Sequence, residues 1–246
     1  CVHPKLRYKR MTPKLVKELK RQYNNLGYGQ GTFSSVNYIP NPTSSLNTFN
    51  RVLNTKILID TGFIKMDSSI SIDAVKKANY LPETSKFVKM EEKHAEQVFQ
   101  LFNKYMDRYN FRPIFTLEQF KDEFLNNSFV SSYVKEDTDG NALDFVSYYT
   151  LTSNVLKNNK KHKTIKRGYL YYYTCVNTTP YKIINNALIL AKKYGVDVMT
   201  ATDDKENMYV LRELGFDETP TTYHVYLYNC RSWPLQNIQL CKSMPF

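Results

Sequence analysis

Residues 169–201 read YLYYYTCVNTTPYKIINNALILAKKYGVDVMTA, and this stretch decides the fold class. It opens on an aromatic strand, Tyr169 to Val176, built from residue types that suit a pleated, half-buried surface. Thr179 followed by Pro180 marks a helix start. The hydroxyl can accept from a free N–H, and the missing N–H of proline costs nothing in the first turn. The helix runs to Tyr194 and stops at Gly195. It is apolar nearly all round, so it is expected to be buried. Val196 to Ala201 is a second strand. Further on, Asp203 to Leu214 reads as a helix stopped by Gly215, and Tyr223 to Asn229 as a final strand. Strand, helix, strand, helix, strand implies an α/β (α+β) fold, a mixed β-sheet flanked by helices.

Upstream, Glu91 to Tyr109 places Ala95, Val98, Leu101, Phe102, Tyr105 and Tyr109 on one side of a helix. His94, beside Glu91 and Glu92, is expected to be exposed there. Thr116 and Gln119 form a capping box ahead of a second helix to Asn126. Phe129 to Lys135 and Ala142 to Leu151 make a hairpin around Asp139-Gly140, and the basic segment from Asn154 to Arg167 reads as a loop. Residues 67–86 read as a connector with a short helix. Before that the pattern weakens. Ile57 to Phe63 is strand-like, residues 43–50 are polar and loop-like, and Gly31 to Ile39 is strand-like. A helix opened by Thr12-Pro13 and stopped at Gly27 carries Leu15, Val16 and Leu19 on one face. One helix and two or three strands cannot easily enclose a core, so the first sixty residues read as an incomplete unit.

With 42% hydrophobic residues in a chain of 246, a core can be built. The net charge of +11 favours an anionic partner, whether nucleic acid, a membrane surface or a phosphate-bearing ligand. The alternative is a basic surface with no specific role. No apolar run is long enough to span a membrane. Cys1, Cys175, Cys230 and Cys241 show neither CxxC nor zinc spacing, and no signal peptide is visible, so an intracellular, reduced protein is expected. His3, His94, His162 and His224 are far apart, which speaks against a metal centre or a His-based triad. In CVHPKLRYKRMTP, residues 1–13, the cations Lys5, Arg7, Lys9 and Arg10 directly precede the helix start. A helix N-terminus offers free N–H groups and partial positive charge. Cations ahead of it make an anion site that suits a diphosphate. A solvated basic turn is the other reading.

Those thirteen residues resemble the start of the CoA-binding loop of N-myristoyltransferases. The likeness continues in order along the chain. Asn50-Arg51-Val52-Leu53-Asn54 resembles the family's H-R-x-L-N, and Tyr80-Leu81-Pro82-Glu83-Thr84 its R-L-P-E-T. Asp144-Phe145-Val146-Ser147-Tyr148-Tyr149 resembles T-D-F-L-S-F-Y. Asn186 to Lys192 resembles the D-A-L-V-L-A-K helix. Ala201, Asp203, Glu206 and Asn207 fit A-L-D-x-x-E-N, and Tyr226-Leu227-Tyr228-Asn229 fits Y-L-Y-N. No single motif is very specific; the ordered set is.

The resemblance implies a GNAT-like acyl-CoA N-acyltransferase fold. Residues 1–60 would be a remnant of the half that binds acyl-CoA, and residues 61–246 the half that binds peptide. It implies transfer of myristate from myristoyl-CoA, as acyl-donor substrate, to the N-terminal glycine of peptides and proteins. It implies a cytoplasmic monomer with no tightly bound cofactor, no metal and no nucleic-acid partner. The attacking α-amine is mostly protonated at neutral pH, and in the family the chain's own terminal carboxylate takes the proton; here that falls on Phe246. A frayed terminus is the competing reading. The family's oxyanion donors precede the position of Cys1. For CoA, the resemblance carries over Cys1, Val2, Arg7, Lys9 and Arg10, with Met11 and Thr12 where backbone makes the contact, and Tyr8 replacing a usual serine. For the peptide it carries over Asn50, Tyr169, Leu170 (a serine elsewhere) and Asp217. Gly215 to Thr221 replaces a glycine-rich loop and is expected to be stiffer. Two other readings stay open: a catalytically silent peptide-binding module of the same fold, and a basic nucleic-acid-binding domain. The chain itself reads as a fragment, a processed product or a half-length relative.

Overall fold

The computed structural model describes residues 2–64, 71–156 and 161–241. The strands are β1 (Gly31–Ser35), β2 (Ser44–Val52), β3 (Val88–Lys89), β4 (Val130–Glu136), β5 (Ala142–Asn154), β6 (Thr164–Thr174), β7 (Val198–Thr202) and β8 (Asp217–Tyr228). They form one eight-stranded sheet in the order β1-β8-β2-β7-β6-β5-β4-β3. β6 and β7 pair in parallel, and the other neighbours are antiparallel. Parallel neighbours need a crossover, and helix α6 (Pro180–Lys193) supplies it. Thr179 caps that helix by accepting from the Lys182 N–H at 3.4 Å, and Gly195 leaves it at φ 77°. Ile183, Ile184, Ala187, Leu188 and Ala191 are fully buried, as the sequence requires.

Motif residues earn their places at the β5–β6 hairpin. Asp144 is completely buried and accepts from the Val176 N–H at 2.8 Å, the Asn177 N–H at 2.9 Å and the Thr178 hydroxyl at 2.5 Å, closing the turn into α6. The register of β5 against β6 shifts between Val146 and Tyr148. Ser147 fills the bulge: its Oγ donates to the Tyr172 carbonyl at 2.9 Å and accepts from the Tyr172 N–H at 3.1 Å. Phe145 meets Phe120 and Phe124, in α5 (Leu117–Lys121) and the π-turn after it, while Phe102 of α4 (Ala95–Met106) meets Tyr172. Val146, on the opposite face, lies across from Tyr133, which stacks on Tyr148 and near Tyr194 at the end of α6. Thr116 and Gln119 form the expected capping box.

Several expectations are corrected. Residues 43–50 are no loop: β2 lies between β7 and β8. Its polar side chains are tolerated because each finds a partner. Asn47 bonds to Asp203 at 3.0 Å, Thr48 to the Thr221 carbonyl at 2.9 Å, and Arg51 to Asn79 at 2.5 Å. Residues 57–63 are no strand; α2 (Thr55–Asp60) is capped by Asn54, which accepts from the Ile57 N–H. The connector carries α3 (Ile72–Ala78). His94 is buried, not exposed. It sits at the junction of a short 3-10 turn and α4, where Nδ1 accepts from the Glu91 N–H at 3.0 Å and Nε2 therefore donates to Glu136 at 2.8 Å. The segment expected as a basic loop, Asn154 to Arg167, gives up both its ends to strand, since β5 reaches Asn154 and β6 begins at Thr164.

Two further corrections lie near the chain's end. Asp203 to Leu214 is not one helix. Lys205 takes φ 54°, a left-handed conformation, and only α7 (Asn207–Val210) follows. The segment after Gly215 is the start of β8, not a loop. Thr219 to Thr221 bulge opposite Thr48, where β1 does not yet pair, so the missing N–H of Pro220 breaks no ladder.

Candidate functional site

Two places collect the residues singled out by sequence. The first is the basic N-terminal segment. Pro4–Lys9 forms a 3-10 turn whose start is capped by His3, with Nδ1 accepting from the Lys5 N–H at 3.3 Å. Arg10 turns the chain at φ 51° and α1 (Met11–Asn25) begins directly after it. Thr12 is thus not the N-cap; it is the second residue of the helix, with Pro13 still in the first turn, where its lack of an N–H is harmless. No side chain caps this helix. Lys5, Lys9, Arg10 and Thr12 are exposed, and Val2 and Met11 half-buried. The backbone of Arg7 lies in the turn. Cys1 falls outside the described residues. The geometry is an uncapped helix start preceded by exposed cations, which can take an anion. Tyr8 is 96% exposed, so it packs on nothing that would hold the turn closed.

The second place is a row across the sheet. Tyr149 pairs with Tyr169, Tyr169 with Thr200, Thr200 with Asn50, and Asn50 with Asp217. Directly paired residues share a face, so β5, β6, β7, β2 and β8 each place one of them on the same side. Three of the four peptide-site residues named from sequence, Asn50, Tyr169 and Asp217, are brought together here. Leu170 is not: it pairs with Tyr148 and is buried in the core on the other face. Tyr149 and Tyr169 stack with ring centroids 4.8 Å apart. The Thr200 hydroxyl donates to Asn50 Oδ1 at 2.7 Å, which orients the Asn50 amide. Burial raises the pKa of the Tyr169 phenol, so it stays a neutral donor at physiological pH. Asp217 is exposed, and Glu218 is tied to Arg212 at 2.7 Å.

The chain after β8 returns to the interior. Leu235 donates to the Thr43 carbonyl at 2.8 Å, and Leu240 and Cys241 are buried, with the Cys241 N–H on the Phe111 carbonyl at 2.8 Å. Lys205 receives this tail: its N–H lies 3.1 Å from the Asn237 carbonyl and 3.2 Å from that of Leu240. Its Nζ lies over the rings of Tyr172 and Tyr173, on the strand that carries Tyr169. Phe246 lies outside the described residues.

The sequence reading missed Tyr149, Thr200 and Lys205. Strand alternation could have placed Tyr149 and Thr200 on the face of Tyr169. Nothing local announces Lys205, because a left-handed lysine inside a helical pattern has no signature. Tyr171, Tyr172 and Tyr173 are buried against protein rings and are closed to base stacking. Among the described residues no cluster of His, Cys, Asp or Glu could hold a metal ion, and no helix is long and apolar enough to cross a membrane.

Comparison with known proteins gives the family. The model of the C-terminal domain of myristoyl-CoA:protein N-myristoyltransferase matches residues 60–244, and that of the N-terminal domain matches residues 1–46. The chain belongs to the N-myristoyltransferase family. Among similar N-myristoyltransferases, the probable glycylpeptide N-tetradecanoyltransferase of Caenorhabditis elegans is 34% identical over 245 residues, covering 98% of this chain and 54% of the worm protein. That of Saccharomyces cerevisiae is 32% identical over 262 residues, covering 96% and 57%. A crystal structure of Saccharomyces cerevisiae N-myristoyltransferase with bound myristoyl-CoA matches with a TM-score of 0.88 at 30% identity, over 97% of this chain and 62% of that one. The mixed sheet flanked by helices is therefore the N-myristoyltransferase fold, as the motifs implied. The chain spans about half the length of the curated N-myristoyltransferases it matches.

Proposed function

We propose that the chain is the peptide-binding part, with the CoA-phosphate loop, of a glycylpeptide N-tetradecanoyltransferase. It acts as a cytoplasmic monomer on myristoyl-CoA and Gly-initiated peptides. Residues 1–60 belong functionally to the acyl-CoA side and residues 61–246 to the peptide side. The uncapped start of α1, with Lys9 and Arg10 ahead of it, takes the CoA phosphates, and Cys1, Val2 and Arg7 extend that contact. The row of Tyr169, Thr200, Asn50 and Asp217 is the floor on which the peptide lies.

The observation that carries this reading is the inward course of the tail. Cys241 is buried against Met106, at a Sγ–Sδ distance of 3.4 Å, and Lys205 ties the tail to the strand bearing Tyr169. The residues from Cys241 to Phe246 span about 17 Å when extended, and this reading places the carboxylate of Phe246 at the peptide floor. There it takes a proton from the glycine ammonium. The freed amine forms the C–N bond at the thioester carbonyl, the C–S bond breaks, and the second proton shed by the nitrogen ends on the departing CoA sulfur, giving the amide and the free thiol.

The test is an acyl-transfer assay on the longest natural form of the chain, with labelled myristoyl-CoA and matched Gly- and Ala-initiated peptides. Label on the Gly peptide alone is expected. Peptide binding without transfer would establish a silent binding module instead. One residue added beyond Phe246 should abolish transfer while peptide affinity holds; unchanged transfer would remove the terminal carboxylate from the reaction.

A further inference from the structure

Arg167 is the cation on this face that the proposed function leaves unused. It stands on β6 two positions before Tyr169, so the two side chains leave the same side of the sheet. Its guanidinium lies 5.5 Å from the centroid of the Tyr169 ring and 5.9 Å from that of Phe63. The residue is half-buried, and its Nε is wholly buried with no hydrogen-bond partner. No carboxylate pairs with it among the described residues. Other sequestered cations have acceptors or carboxylates at their charged ends: Lys205 lies 2.8 Å from Asp204, Lys135 lies 3.9 Å from Asp144, and Arg51, whose Nε is likewise buried without a partner, bonds through Nη1 to Asn79 and the Gly215 carbonyl.

Two ring faces hold a guanidinium in place but accept none of its five N–H donors. A guanidinium drawn partly out of water without an anion is unfavourable. Held over the Tyr169 ring, it presents a fork that matches a carboxylate. We propose that Arg167 is the receptor for an acidic side chain of the bound peptide, so that it sets sequence preference at one substrate position. This rests on reading the face as the peptide floor.

The same row ends, three strands away, at exposed Asp217. Strand spacing and the two-residue offset put Arg167 and Asp217 roughly 16 Å apart, the span of four to five extended residues. The face thus presents a cation at one end and a carboxylate at the other. A fitting peptide carries an acidic residue and a basic residue separated by that interval, and the acidic one meets Arg167.

The experiment measures binding of Gly-initiated peptides that differ only by Glu, Gln or Lys at the position under test, to the native chain, Arg167→Gln and Arg167→Glu. The Arg167 Nε–H resonance is followed in the same titrations. The native chain should bind the Glu peptide about tenfold or more tighter than the Gln peptide, as a charge-assisted pair implies. Arg167→Gln should level the two, Arg167→Glu should favour Lys, and the Nε–H signal should shift with the Glu peptide alone. Peptides that bind with the same Glu/Gln ratio in the native chain and both variants overturn the proposal and leave the peptide reading intact. A shift of the Nε–H signal by CoA and not by peptide also overturns it. Blocking the glycine amine by acetylation without effect on affinity counts against the glycine-peptide reading, while the Glu/Gln ratio still decides Arg167. Absence of all peptide binding overturns both.

Discussion

Lys205 Nζ lies 2.8 Å from Asp204 Oδ2, with both side chains at most 2% exposed. The contact is a charge pairing without an aligned hydrogen bond on that oxygen; Asp204 Oδ1 instead accepts from the Thr202 hydroxyl at 2.6 Å. Burial, the largest single influence, would lower the lysine pKa, but Asp204 acting together with Cys241 and Tyr172 raises it. The residue that breaks the helical pattern after β7 is thus also the one that docks the tail.

Removing one member strands the other. Lys205→Met leaves a buried, unpaired carboxylate and should cost about 3–5 kcal/mol in urea denaturation. Adding Asp204→Asn to it should recover part of the loss. Amide exchange at Leu240 and Cys241 should quicken in the single variant.

Gly215 is required twice over. It sits at φ 71°, and a Cβ there would lie 2.6 Å from Arg51 Nη1. Arg51 cannot yield without releasing Asn79 and the Gly215 carbonyl. Gly215→Ala should therefore cost about 2–4 kcal/mol. Gly195→Ala, at φ 77° with open space around it, should cost only about 1–2 kcal/mol. Paired melting curves give the comparison.

Asp144→Ala would orphan the Val176 and Asn177 N–H groups at once. A loss of about 2–4 kcal/mol is expected, with Asp144→Asn milder because one acceptor oxygen remains. Hydrogen exchange at those two amides localises the effect.

Burial raises the thiol of Cys175 to about 11 and that of Cys241 to about 12, while Cys230 is exposed. An unfolded thiol titrates near 8.5, so the folded state holds these protons longer. The stabilisation is complete below about 8.5 and is lost as pH rises through the folded values. The urea midpoint should fall between pH 8.5 and 11. At pH 8 a thiol reagent should modify Cys230 quickly, and Cys175 and Cys241 only on unfolding.

What the sequence disclosed followed from local chemistry. Thr179-Pro180 and Gly195 bracket α6, Thr116 with Gln119 starts α5, and Asp139-Gly140 turns the hairpin, because capping and turn preferences act within a few residues. β2 escaped notice since its polar side chains are satisfied by partners more than 150 positions away, as Asn47 is by Asp203 and Thr48 by the Thr221 carbonyl. Ile57 to Phe63 is too short for its apolar period to separate helix from strand. His94 was misplaced because Glu136, its partner, comes from a distant strand. Of the row proposed as the peptide floor, Asn50, Tyr169 and Asp217 were reachable through motif likeness. Thr200 and Arg167 join them only through strand register.

β2 lies between β7 and β8, although it precedes them by well over a hundred residues. The two family models divide the chain between positions 46 and 60. An expression boundary drawn at residue 60 would withdraw an interior strand and leave β7 and β8 with raw, unpaired backbone edges facing each other. Such edges recruit neighbouring molecules, so a recombinant protein trimmed to the longer match should precipitate, and a synthetic peptide spanning residues 43–54 should rescue its solubility.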